Sequence, residues 1–294
     1  MTMLRYAADA VRCTDSTKRP ATVIRSKRSF LRAAPAALAL AVLASAPALA
    51  VGPQSSSTPA STEATAAQSA AGLGFVSGID VSHWQSFVRW RHVARDGIDF
   101  AIVKATDGTW MKDRWYDRNK SRAEKAGLKF TAYHFARPGR GGGSVQSDAR
   151  REALWFLRHA DLKPRNLVPV LDLEVSGSLS SSALRAWTLT WLRTVERELG
   201  VKPMIYTSPG FWRGHVGNSK AIAKAGFDVL WVAHYGTSRP MVPASRWDGN
   251  GWSFWQWTKC GRVDGVRGCV DRNYFRGRDV RDLTIRRLSS STPR

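Results

Sequence analysis

From Phe75 onward, short apolar runs alternate with longer stretches whose apolar positions recur at helical spacing. The short runs are "GIDVSHW" (78–84), "FAIVKAT" (100–106), "KFTAYHF" (129–135), "VPVLDLEV" (168–175), "KPMIYTS" (202–208), "VLWVAHY" (229–235) and "SFWQWT" (253–258). Rich in β-branched and aromatic residues, they read as strands. Between them lie amphipathic segments that read as helices: 114–127, which ends at a capping Gly127, then 144–160 and 180–199. Strand, helix, strand, repeated, predicts a parallel sheet, and this many repeats predict closure into a barrel. After about residue 229 the intervening helices drop out. The expected fold is therefore α/β, an irregular TIM-like β/α barrel finished by plain strands, in one domain over 75–288. No internal repeat of 20 to 50 residues is visible.

The chain before Phe75 follows another pattern. "RSKRSFLR" (25–32) is a basic segment followed by an Ala/Leu-rich run ending at Ala48-Leu49-Ala50, so 1–50 reads as a signal peptide. Residues 26–32 resemble a twin-arginine export signal with Lys27 in place of the first Arg, which leaves the export route open. The apolar run is short and holds Pro35 and Pro47, which argues against stable membrane insertion. Residues 51–74, rich in Ser, Thr, Ala and Pro, read as a linker, and 289–294 as a disordered tail.

Charge narrows the partners. Eight of the 45 basic and two of the 23 acidic residues fall in the leader, leaving 37 and 21 and a net charge of +16. That suits a polyanion, either nucleic acid or the anionic polymers of a bacterial wall. Export favours the wall, and no arginine-rich tail or zinc-finger spacing supports nucleic acid. A secreted or wall-associated monomer is expected. Thirteen tryptophans are enough to platform sugar rings, or simply to fill a core. Cys13 leaves with the leader. Cys260 and Cys269 remain as an even pair in an exported chain, which predicts a disulfide, with two free thiols as the alternative.

"VPVLDLEV" carries the candidate chemistry, because Asp172 and Glu174 interrupt a strand that should be apolar. Residues two apart on a strand share a face, about 6.6–7 Å apart along the chain. At the carboxyl end of a barrel strand that face opens on the mouth. Two carboxylates close together in a poorly hydrated pocket do not both ionise freely, so one should hold its proton to higher pH while the other stays charged. The bland reading satisfies both by ion pairs or backbone amides. Against it, "GIDVSHWQ" puts Asp80 on the first strand and "CVDRNYF" puts Asp271 on or near the last. First and last strands are neighbours in a closed barrel, so four carboxylates would converge.

These segments, with "FAIVKATDG", "AYHFARP", "MIYTSPGFW", "LWVAHYG", "FWQWT" and "GVRGCVDRNYFRG", resemble the glycoside hydrolase family 25 muramidases over roughly 78–277. The resemblance implies a modified barrel of five β/α units followed by further strands. It also implies cleavage of the β-1,4 bond between N-acetylmuramic acid and N-acetylglucosamine in peptidoglycan. Glu174 would be the general acid, and Asp80 and Asp271 supporting carboxylates. Asp172 would either attack the anomeric carbon or orient the substrate's own N-acetyl group, and both routes retain configuration. Tyr133, Tyr206, Trp231, Tyr235 and Trp255 fall on strands beside the acids, where sugar contact and core packing are both open. His83 and His134 lie in the same motifs and read equally as structural. No cofactor is implied, and no His or Cys spacing fits a metal site. A related chitinase would carry D-x-D-x-E, but Val170 stands at its first acid. A purely wall-binding module would have no use for a protonated acid.

Overall fold

The computed structural model describes residues 74–286, so the expected signal peptide, most of the linker and the tail lie outside the described residues. Eight strands close into a barrel: β1 (Val76–Val81), β2 (Phe100–Asp107), β4 (Lys129–Phe135), β5 (Val170–Asp172), β6 (Met204–Thr207), β7 (Leu230–Ala233), β8 (Phe254–Gly261) and β9 (Val270–Phe275). A two-residue strand, β3 (Met111–Lys112), folds back on the end of β2. The first seven barrel strands are parallel to their neighbours, while β9 runs antiparallel to both β8 and β1. β1 also pairs with β2, which completes the ring.

Helices α1 (Trp90–Arg95), α2 (Tyr116–Lys125), α3 (Val145–Ala160), α4 (Ser181–Leu199), α5 (Pro209–Val216) and α6 (Ala221–Lys224) follow the earlier strands. The two longest begin as their sequences dictate. Ser144 accepts from the Ser147 amide and Ser180 from the Ala183 amide, each satisfying a donor that the first turn leaves unpaired. Gly200 ends α4 in the left-handed conformation. After β7 the helices give way to a left-handed turn, with φ of 52–58° from Ala244 to Asp248. The left-handed conformation costs an ordinary residue roughly 1–2 kcal/mol. Here the turn is pinned by a buried Trp247, whose indole donates to the Phe227 carbonyl, and by the Ala244 amide donating to Asn218.

Alternation along the strands separates two cores. Ile79, Val81, Val103, Leu171 and Leu173 face outward onto the helices, where they meet Trp187, Trp191 and Trp212. Phe100, Ile102, Val170, Met204, Phe254 and Phe275 fill the barrel interior. Gly78 belongs to this interior packing, since a Cβ there would lie 2.2 Å from the Phe100 ring. Eight of the 13 tryptophans are buried, so most of the enrichment is core. Cys260 and Cys269 are joined as expected and staple the two strands of the β8–β9 hairpin.

Candidate active site

Towards the carboxyl ends of the parallel strands the interior changes from apolar to charged. A cavity of about 250 Å³ opens there, lined by Asp80, Ser82, Trp84, Lys104, Tyr133, Phe135, Asp172, Glu174, Tyr206, Trp231, Tyr235, Gln256 and Asp271. All four predicted carboxylates are among them. Closure of the ring sets Asp80 directly opposite Asp271 in the β1–β9 register. Asp172 ends β5, and Glu174 lies just past it, carried on by the Leu173 amide donating to the Tyr206 carbonyl. Val170 and Asp172 point inward while Leu171 and Leu173 pack outward.

The acids form two hydrogen-bonded pairs. In the first, Asp80 Oδ1 accepts from Gln256 Nε2 at 2.9 Å and from Asn273 Nδ2 at 2.7 Å. Each amide is oriented by groups behind it. The hydroxyls of Tyr206 and Tyr235 both donate to Gln256 Oε1, at 2.9 and 2.5 Å, and the Trp231 indole donates to Asn273 Oδ1 at 2.8 Å. Only the NH2 groups are left to face Asp80. Burial lifts the Asp80 carboxyl, and the bonds from Asn273, Gln256 and Asp271 limit the rise to about 6. Asp271 is lifted by burial and by the charge of Asp80, to about 9. The pair therefore holds one proton at neutral pH, on Asp271.

Asp172 and Glu174 are built otherwise. Asp172 is buried, while Glu174 sits exposed at the cavity rim. The Asp172 carboxyl is pushed well above the usual range by burial and then by the charge of Glu174, with Lys104 opposing. Glu174 is raised as well, by the protein packed around its carboxyl, with its hydrogen bond to Asp172 opposing and Asp80 adding. The expectation that one member would rise and the other stay ordinary is thus replaced by a shared rise. No amide fixes the proton here, and Asp172 Oδ1 has no hydrogen-bond partner among the described residues.

Two cations face this second pair. Lys104, buried on β2, donates to Asp107 Oδ2 at 2.9 Å and lies 4.6 Å from the Phe135 ring centroid. Arg137 donates to Asp107 Oδ1 at 2.6 Å and covers the same ring. Burial raises the Asp107 carboxyl, but the bond from Arg137 and the charge of Lys104 outweigh it, so it lies below the usual range. Asp107 is thus the anion that holds both cations beside the acids.

The remaining candidates divide. Tyr133, Tyr206, Trp231 and Tyr235 line the cavity. Trp255 does not. Its neighbours Phe254 and Gln256 take the inward face, so Trp255 packs outward near Trp252 and Tyr274 and donates to the His234 carbonyl. His134 is fully buried between Thr106 and Glu152 and stacks on Trp191, which is a structural role. His83 meets Asp113 at 2.9 Å. Sequence reasoning passed over Gln256, Asn273, Lys104 and Arg137. It also missed Trp84, which lines the cavity with 74% of its surface exposed, as a sugar platform would.

Comparison with known proteins bears on this geometry. Residues 79–266 match Glycosyl hydrolases family 25. Lysozyme M1 of Streptomyces globisporus is 37% identical over 71% of this chain and 71% of its own. An N,O-diacetylmuramidase of Arthroderma benhamiae is 30% identical over 74% of this chain and 89% of its own. The crystal structure of a bacterial lysozyme from Streptomyces coelicolor superposes with a TM-score of 0.64 at 36% identity, covering 71% of this chain and 95% of that one. A family 25 lysozyme from Aspergillus fumigatus gives 0.62 at 30% identity, covering 71% and 98%.

Proposed function

The chain belongs to glycosyl hydrolases family 25, and from that premise we propose that it is an exported muramidase. Its substrate is peptidoglycan, and it cleaves the β-1,4 bond between N-acetylmuramic acid and N-acetylglucosamine with retention. The observation that carries this reading is the convergence of two carboxylate pairs, with unlike surroundings, on one cavity. Glu174 at the rim is the member of its pair that a glycosidic oxygen can approach, and it donates the proton the pair holds. Asp172, charged once the shared proton has passed to Glu174, sits beside the anomeric centre as nucleophile or as the anchor of the N-acetyl group. Asp80 and Asp271 form the fixed wall opposite. Trp84, Tyr133 and Tyr235 offer ring faces and hydroxyls to the sugars.

The chitinase alternative is weakened because Val170, where that class carries an acid, is fully buried in the barrel interior. The test uses mature protein and its Glu174→Gln variant on purified peptidoglycan, with released fragments reduced and identified by mass spectrometry. Wild type should release fragments with reducing-end N-acetylmuramic acid, and the variant about 10²–10⁴-fold less. Reducing-end N-acetylglucosamine would make the enzyme a glucosaminidase. Binding by both proteins without release would make it a wall-binding module.

A further inference from the structure

Beside the mouth, two clefts adjoin on the outer face built by the β1–α1 loop, α1, α2 and the tip of the β8–β9 hairpin. One, of about 470 Å³, lies between Arg89 and Arg267, and the other, of about 340 Å³, between Arg91, Arg118, Arg122 and Lys125; Phe87 and Arg89 line both. None of these six cations has a carboxylate partner among the described residues. The one carboxylate in the first cleft, Asp264, meets His92 at 3.1 Å and leaves the six cations in excess. Arg118 lies 4.4 Å from the ring centroid of Phe87, which is half exposed.

The face is also built rather than accidental. Gly265 at the hairpin tip accepts from the Arg89 amide at 2.8 Å, and a Cβ there would lie 2.5 Å from the Arg89 carbonyl oxygen. The Cys260–Cys269 disulfide closes the hairpin behind this tip. Cations of one sign gathered in concave surface repel one another and concentrate anions. Five of the six are arginines, whose planar forks match the oxygens of a phosphate.

We propose that these two clefts form one docking surface for a linear wall polymer of phosphodiester-linked polyols, beside the catalytic mouth and outside the cavity that holds the four acids. The choice of polymer rests on the muramidase reading, which places the enzyme at the wall. The surface itself rests on the clefts and their unpaired cations.

The test is sedimentation with purified walls at low salt, in the Glu174→Gln background so that the walls survive. A triple variant, Arg89→Glu, Arg122→Glu and Arg267→Glu, should bind native walls about tenfold more weakly, because charge-driven binding to a polyanion falls steeply with each lost contact. Its binding to walls stripped of phosphodiester polymer should equal that of the parent. A control, Arg150→Glu, Arg158→Glu and Arg193→Glu, carries the same charge change on exposed positions of α3 and α4. It should bind native walls nearly as the parent does. Equal loss in both triples would reduce the effect to net charge, and no loss in the first would remove the site. Tighter binding to duplex DNA than to the released polymer would assign the surface to nucleic acid instead. Arginine-specific modification of the unmutated chain gives a readout independent of variant folding. The polymer should protect Arg89, Arg122 and Arg267, and exposure of all three in its presence would overturn the proposal. In an otherwise wild-type chain the first triple should hydrolyse stripped peptidoglycan normally, so failure of the docking site and failure of the muramidase reading are separable.

Discussion

The two carboxylate pairs across the mouth differ in what surrounds them. Asp80 receives two amide donors, each oriented by tyrosine or tryptophan, so the charge is fixed on Asp80 and the proton on Asp271. Asp172 and Glu174 receive no such donors and are balanced only by the charges of Lys104 and Arg137. Hydrogen bonds are directional and fix a proton, whereas charges at a distance only set how tightly a pair holds it. A fixed pair suits binding and orientation. An unfixed pair suits proton donation.

The largest expected effect comes from breaking the unfixed pair. Asp172→Asn should lower kcat on soluble glycan strands by about 10²–10³-fold, with KM little changed, as steady-state kinetics would show. If instead Asp80→Asn were the more damaging change, the assignment of the two pairs would be reversed.

Loosening the fixed pair should do less. Gln256→Leu removes one donor to Asp80 and strands the two tyrosine hydroxyls. A lost donor lets burial raise the Asp80 carboxyl further above 6, so ionised Asp80 disappears at higher pH than before. The acidic limb of the pH–rate profile should therefore move upward, with a rate loss of about tenfold at pH 6. An unmoved limb would mean that Gln256 does not set the charge on Asp80.

A third effect is on stability rather than rate. Asp271 is raised to about 9 in the fold and has an ordinary carboxylate value when unfolded. Its folded form therefore keeps a proton that the unfolded form has lost. That contribution is fully present below the unfolded value and declines as pH rises, by about 1.4 kcal/mol per unit for one proton, until pH passes 9. An amide at this position does not titrate and carries no such penalty. The melting temperature of Asp271→Asn relative to wild type should climb from pH 5 to pH 8. A pH-independent difference would place the proton elsewhere.

The fold was legible because β2, β4 and β5 through β7 are covered on their outer faces by helices and filled within, so they read as apolar runs. All eight residues of β2 are buried. The same burial concealed Lys104, which sits in an apolar run and looks like a flanking charge. Helices α1, α5 and α6 are too short for periodicity to reveal, and a left-handed turn has no periodicity of that kind. Gln256 was unreadable for another reason. It meets Asp80 from 176 positions away, and only ring closure brings them to 2.9 Å. For Trp255 the sequence left sugar contact and core packing open, and one residue of register decides it, because on a strand that moves a side chain to the opposite face.

The most direct test of the unfixed pair is a ¹³C NMR titration of the Glu174 carboxyl in wild type and in Asp172→Asn. In wild type the signal should move in two steps, the upper one well above the ordinary glutamate range. In Asp172→Asn the upper step should vanish, because it reports the titration of the neighbouring Asp172 carboxyl, and the single step that remains should still lie above the ordinary range because the packing that raises Glu174 is unchanged. A single ordinary step in wild type, unchanged by the substitution, would mean that the two carboxyls share no proton and that Glu174 is not the donor described here.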